Sequence, residues 1–183
     1  MKVKLFFMLL FGITIAATVN AQKSNSIYDY KLTDINGNTF DMSDLKGKKV
    51  LLVNTATQCG FSSQDKDMEK LYKDYKDKNF VVVAIPSNDF GNKEPGSNEE
   101  IKTYAKEHDI TFPVMAKTDV TGDKENPLYK WLTNKDLNGV MDSKVAWNYQ
   151  KYMIDENGKL VGVVESKESP TSDKVINWIE DKK

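Results

Sequence analysis

The sequence predicts an α/β domain with a central mixed β-sheet flanked by helices. Two short, wholly apolar runs, residues 50–53 and 80–85, have the look of strands covered on both faces. A stretch of helical periodicity separates them, which calls for at least one parallel pair. Near the C-terminus, Asp155-Glu156-Asn157-Gly158 sits between two apolar segments as a hairpin turn, with a last helix behind it.

The chain opens with a segment that is not part of this domain. Lys2 and Lys4 form a charged start, residues 5–17 an apolar run, and Val19-Asn20-Ala21 a cleavage site before Gln22. This is the pattern of a secretory signal peptide over residues 1–21. The run is short for a membrane span, and no Cys follows it to carry a lipid. Residues 22–183 are then expected as one exported domain, periplasmic or secreted, with no stable membrane association after cleavage.

Within it, residues 27–33 alternate apolar and polar as a half-buried strand does, and Asn36-Gly37-Asn38 signals a turn. Residues 49–54 form a buried strand and 55–61 a loop. Ser62 is the expected N-cap of the next helix, with Asp65 in place of the capping-box Glu. Met68, Leu71, Tyr72 and Tyr75 make its apolar stripe. Residues 80–85 return as a strand, 86–98 as a polar loop, 99–108 and 127–133 as helices. Strands are expected over 151–154 and 159–164, and a final helix over 172–181 burying Val175, Ile176 and Ile179.

Composition excludes several classes. All 26 basic residues are Lys, set against 27 acidic ones of interspersed sign, an ordinary solvated surface rather than a nucleic-acid footprint. The absence of Arg removes the usual bidentate clamp for carboxylates and phosphates. The stretch 127–147 is short and polar, which favours a monomer.

There is one Cys. In an exported chain a lone Cys is a reactive thiol, an intermolecular partner, or a buried inert hydrophobe. Cys59 lies past the end of a buried strand and ahead of a helix, the edge of an open α/β sheet where ligands bind. A position before a helix N-terminus favours thiolate, and Gly60 leaves the neighbouring backbone unhindered. Cys59-Gly60-Phe61-Ser62 lacks the second thiol of a dithiol pair, which leaves monothiol chemistry: oxidation to a sulfenic acid and repair by an external thiol. The lone His108, read as mid-helix, fits neither a Cys-His hydrolase nor a zinc site, and no metal or cofactor is expected.

Asn54-Thr55-Ala56-Thr57-Gln58-Cys59-Gly60-Phe61 resembles the segment around the peroxidatic Cys or selenocysteine of glutathione peroxidases. Leu71-Tyr72-Lys73-Asp74-Tyr75 follows in the family's order, as do Pro86-Ser87-Asn88-Asp89-Phe90-Gly91 and Glu94-Pro95-Gly96-Ser97-Asn98-Glu99-Glu100-Ile101. Thr111-Phe112-Pro113, Pro127-Leu128-Tyr129 and Trp147-Asn148-Tyr149 complete the set. The resemblance covers about residues 27–182 and is to cysteine-containing, bacterial-type members. It implies a thioredoxin-like fold, an oxidoreductase of the response to oxidative stress, and reduction of hydrogen peroxide or organic hydroperoxides by thiols, glutathione or another. It also implies catalytic roles for Cys59, Trp147 and Asn148. The indole N–H is a donor only and the Asn amide supplies two donors, so either can stabilise a thiolate or a departing oxygen.

Three positions depart from the family. Asp89 stands where the resemblance places a Gln. An ionised Asp offers no donor and repels a thiolate. Either it is protonated beside the sulfur, or it points away and the remaining donors act; both imply a weaker or more pH-dependent peroxidase. Ser87 and Ala105 occupy positions that carry further cysteines in many relatives. No intramolecular disulfide can form, so a small thiol or a thiol protein must meet the sulfenic acid. The alternative function is a non-catalytic, peroxide-sensing or binding domain of the same fold.

Overall fold

Lys49 to Thr55 are buried at every position, and so are Phe80 to Pro86; these two strands are the centre of the molecule. The computed structural model describes residues 26–182, so the expected signal peptide lies outside the described residues. In chain order the strands are β1 (Lys31–Thr33), β2 (Thr39–Asp41), β3 (Lys49–Thr55), β4 (Phe80–Pro86), β5 (Lys151–Ile154) and β6 (Leu160–Val164). The helices are α1 (Gln64–Tyr75), α2 (Asn98–Glu107), α3 (Pro127–Thr133), α4 (Lys135–Asn138) and α5 (Asp173–Ile179).

The main sheet runs β4-β3-β5-β6. β3 and β4 are parallel, with Leu52 opposite Val83, and α1 makes the crossover between them. β5 lies antiparallel to both β3 and β6. Each face carries its own core because successive strand residues point to opposite sides. Val50 and Leu52 join Ile27, Leu45, Leu128 and Trp131 on one face; Leu51 and Val53 join Met68, Leu71, Val175 and Ile179 on the other. Cys59 belongs to the second.

The two faces are closed by polar contacts to helix and loop ends. Lys49, buried at the start of β3, points its Nζ at the Trp178 and Ile179 carbonyls and the Asp181 carboxylate, satisfying the orphan groups that end α5. Lys151 does the same for the Glu165, Ser166 and Glu168 carbonyls, and burial lowers its pKa to about 8.

Four local expectations are corrected. Residues 27–33 are not one strand: Ser26 caps a 3-10 turn at Ile27–Asp29, and only Lys31–Thr33 pairs, with β2 in a separate two-stranded sheet. Helix α1 starts at Gln64, its N-cap position is Ser63, and no side chain caps it. Asp65 is therefore not a capping acid but a buried one. His108 is the exposed C-cap of α2 rather than a mid-helix residue. In α5, Ile176 is only half-buried beside buried Val175 and Ile179.

Candidate active site

The parallel β3–β4 pair ends with Thr55 opposite Pro86, and the chain turns at both ends into loops that pack on one another. After β3 the backbone tightens: the Cys59 amide donates to Ala56 O at 3.2 Å and the Ser62 amide to Cys59 O at 2.9 Å. This turn is tied to the β4–α2 loop. Gln58 N donates to Lys93 O, and the buried Glu94 carboxylate accepts from Thr57 N at 2.7 Å and Thr57 Oγ1 at 2.8 Å. Burial holds the Glu94 carboxyl above its ordinary range, against these two bonds. Cys59 itself is 5% exposed, and Phe61 N points at its sulfur across 3.5 Å.

A second turn arrives from the antiparallel partner. Trp147, Asn148 and Tyr149 lie one residue ahead of β5, whose pairing with β3 sets them beside Asn54. Asn54 Nδ2 donates to Trp147 O at 3.1 Å, and Tyr149 N donates to Asn54 O at 2.6 Å. Tyr149 adopts φ 66°, a left-handed conformation that a bulky residue holds only under constraint from its surroundings. Trp147 is 40% exposed and its ring leans on Phe90, centroids 5.8 Å apart. Asn148 is fully buried and donates one amide hydrogen to Phe90 O at 3.1 Å; its Oδ1 has no hydrogen-bond partner among the described residues.

The loop 87–96 is thus the common platform. Cys59's turn is bonded to its Lys93 and Glu94, and the Trp147–Asn148 turn to its Phe90. Asp89 is on the same loop, but its side chain is engaged elsewhere: Oδ2 accepts from Val120 N at 2.7 Å and Thr121 N at 3.0 Å.

Two buried groups at this corner escaped sequence reasoning. Asp65 accepts O–H bonds from Tyr104 and Tyr149, each at 2.9 Å. Burial raises its pKa to about 6 in spite of both bonds. Its signal was spacing: Asp65 precedes Met68 by three and so lies on the buried stripe of α1. Glu94 lay inside a recognised segment without an assigned task.

An open groove of about 530 Å³ runs from Phe61 to Trp147, with Lys144 and Lys167 along it. Among the described residues no group of three or more His, Cys, Asp or Glu could hold a metal ion, and no helix is long and apolar enough to cross a membrane.

Comparison with known proteins places these features in context. Residues 27–133 match the family model described as glutathione peroxidase. The chain is 40% identical over 150 residues to the glutathione peroxidase-like peroxiredoxin 2 of Saccharomyces cerevisiae, covering 81% of this chain and 93% of that protein. It is 41% identical over 137 residues to the glutathione peroxidase homolog BsaA of Staphylococcus epidermidis, covering 74% and 86%. Among solved structures, Trgpx in its apo form superposes with a TM-score of 0.66 at 38% identity, covering 85% of this chain and 95% of that one. A thioredoxin-family thiol:disulfide interchange protein from Chlorobium tepidum reaches a TM-score of 0.62 at 23% identity over 86% of this chain and 94% of its own, a likeness of fold alone. The fold is thioredoxin-like.

Proposed function

We infer, from the premise that this chain belongs to the glutathione peroxidase family, that Cys59 is the residue at which it turns peroxide over. The protein is a thiol peroxidase that reduces hydroperoxides with a thiol co-substrate and no cofactor. The observation that carries the assignment to Cys59 is its placement: the chain's one thiol sits between β3 and α1, on the same loop platform that holds the Trp147–Asn148 turn.

The Cys59 thiolate attacks one peroxide oxygen. The O–O bond breaks, sulfur is oxidised by two electrons to a sulfenic acid, and the other oxygen takes a proton and leaves as alcohol or water. An external thiol condenses with the sulfenic acid, releasing water and forming a mixed disulfide; a second thiol displaces Cys59 as the product disulfide forms. With a single Cys in the chain, no step passes through an intramolecular disulfide.

Each donor has a place in this scheme. The Phe61 amide faces the sulfur. The exposed Trp147 ring offers its N–H to the departing oxygen, and buried Asn148 has a second amide hydrogen for the thiolate side. Asp89 ties the platform to Val120 and Thr121. Lys144 and Lys167 give the groove point charges for a carboxylate-bearing thiol such as glutathione. The protein works as an exported monomer, residues 1–21 being removed.

The test is direct. Reduced protein is titrated with hydrogen peroxide or an organic hydroperoxide, and sulfenic acid at Cys59 is followed by mass. Stoichiometric oxidation, followed by multiple turnover with glutathione or a reduced thiol protein, is expected. A Cys59 inert to both peroxides, or one that oxidises once and is never recycled, overturns the reading. Ultracentrifugation of the mature chain and its N-terminal sequence, expected to begin at Gln22, check the monomer and the export.

A further inference from the structure

We propose that Asp65 is a positioning residue for Cys59, acting through the Tyr149 hydroxyl on the Ala56 carbonyl. The proposal rests on the reading of Cys59 as the peroxidatic residue.

The chain of contacts is short. Asp65 Oδ2 accepts from the Tyr104 hydroxyl and Oδ1 from the Tyr149 hydroxyl, both at 2.9 Å. The Tyr149 oxygen also lies 3.5 Å from Ala56 O. That carbonyl is the acceptor for the Cys59 amide at 3.2 Å, the bond that closes the turn carrying the sulfur. Tyr149 is fully buried and its backbone is left-handed, so its hydroxyl has little freedom to seek other partners.

A phenol has one proton to donate. Ionised Asp65 is acceptor-only and accepts the O–H hydrogen bonds of Tyr104 and Tyr149. Ala56 O is then left to the Cys59 amide. Protonated Asp65 carries a donor of its own. One of its oxygens still accepts from Tyr104, while the O–H turns on the Tyr149 oxygen. The Tyr149 O–H is then free to donate to Ala56 O, a second bond on the carbonyl that weakens the one from the Cys59 amide. Proton uptake at one buried carboxyl thus changes the hydrogen bonding of the carbonyl that sets the sulfur's backbone.

The groups facing Asp65 come from several elements. Tyr104 and His108 face it from α2, their rings stacked at 3.9 Å, and Tyr149 from the turn before β5. Glu94 faces it from the platform loop and binds the same Cys59 turn through Thr57. A small space of about 20 Å³ has Asp65, Glu94, Thr57, Tyr104 and Tyr149 in its lining. Two buried carboxyls are therefore linked to the turn, Glu94 directly through Thr57 and Asp65 through the Tyr149 hydroxyl near Ala56 O. Burial and Glu94 favour the proton on Asp65, whereas the two phenols and His108 favour its loss. Cys59 in turn helps to push the Tyr149 phenol upward, behind burial and Asp65.

The test uses reduced full-length protein and the variants Asp65→Asn, Tyr149→Phe and Tyr104→Phe. Two rates at Cys59 are measured from about pH 4.5 to 8.5: oxidation by hydrogen peroxide and alkylation by iodoacetamide. Both wild-type profiles are expected to show an inflexion near pH 6, where Asp65 titrates. Asp65→Asn and Tyr149→Phe are expected to lose it and to change the rate by about fivefold, the worth of one hydrogen bond. Tyr104→Phe is expected to keep it and move it to higher pH, because the charged form loses one donor. Superimposable profiles for wild type and a folded Asp65→Asn overturn the proposal. If that variant does not fold, an inflexion surviving in Tyr149→Phe overturns it. An inflexion in alkylation with no reaction towards peroxide sustains the positioning role and removes the peroxidase reading instead.

Discussion

Asp89 Oδ2 accepts the backbone N–H of Val120 across 2.7 Å, and the next amide, Thr121, adds a second bond at 3.0 Å. The carboxylate stands at the position where the family resemblance places an amide donor, yet here it serves as an anchor between two loops. Asp89→Ala is expected to destabilise the fold by about 1–2 kcal/mol, since two bonds to a partly exposed charged acceptor are lost. The drop should appear as a lower urea midpoint at constant slope. Oxidation of Cys59 by peroxide should stay within about threefold of wild type. A hundredfold loss of rate with unchanged stability would place the carboxylate at the sulfur instead.

Gly91 and Trp147 are nearly in contact. Gly91 has φ 65°, and a Cβ built there would lie 3.2 Å from Trp147 Cη2. Gly91→Ala is therefore expected to cost about 1–2 kcal/mol of backbone strain and to push the indole off Phe90. Peroxide oxidation of Cys59 should slow by on the order of ten- to a hundredfold, as misplacement of a reacting group does. Tryptophan fluorescence should shift in parallel. Gly37→Ala is the control: its φ is 87° with nothing within 4 Å, so it carries the strain without the rate loss.

Trp147 and Asn148 should separate by reaction. Trp147→Phe keeps a ring against Phe90 and removes the only N–H of an exposed side chain. If that donor meets the departing oxygen, peroxide oxidation falls by about a hundredfold. Alkylation by iodoacetamide, which expels iodide, changes little. Asn148 is buried and bonded to Phe90 O, and the role proposed for its second amide hydrogen is on the thiolate side. Asn148→Ala should depress both reactions together. Equal losses for both variants in both reactions would remove the division of roles.

What the sequence disclosed follows from where the deciding forces lie. The β3 and β4 strands are runs of apolar residues buried on both faces, and the hairpin turn before β6 ends on Gly158 at φ 77°; both are local signals. The fate of Asp65 is not local. A capping acid and a buried acid look alike until Tyr104, 39 residues away, and Tyr149, 84 away, supply their hydroxyls. Asp89 was ambiguous for the same reason, its partners lying 31 and 32 residues on. The start of the domain failed differently. Alternation over residues 27–33 reads as a strand, but the Ser26 hydroxyl accepts from Tyr28 N and turns the first residues into a 3-10 turn.

Asp65 also sets a pH dependence of stability whose sign is opposite to that of most carboxylates. Its folded pKa, about 6, lies above the ordinary aspartate value near 3.9 because burial disfavours the charge. The folded chain therefore holds this proton more tightly than the unfolded chain does. Below the unfolded pKa both forms carry it and there is no penalty. As pH rises through the folded pKa that stability is lost, and above it the ionised carboxylate costs on the order of 3 kcal/mol relative to the acid form. Asp65→Asn removes the titration. The stability difference, wild type minus variant, should fall by up to about 3 kcal/mol between pH 4 and pH 7, read from denaturant midpoints at each pH. A difference that is flat across this range would mean that the carboxyl is already ionised at pH 4, and that the two tyrosine hydroxyls outweigh its burial.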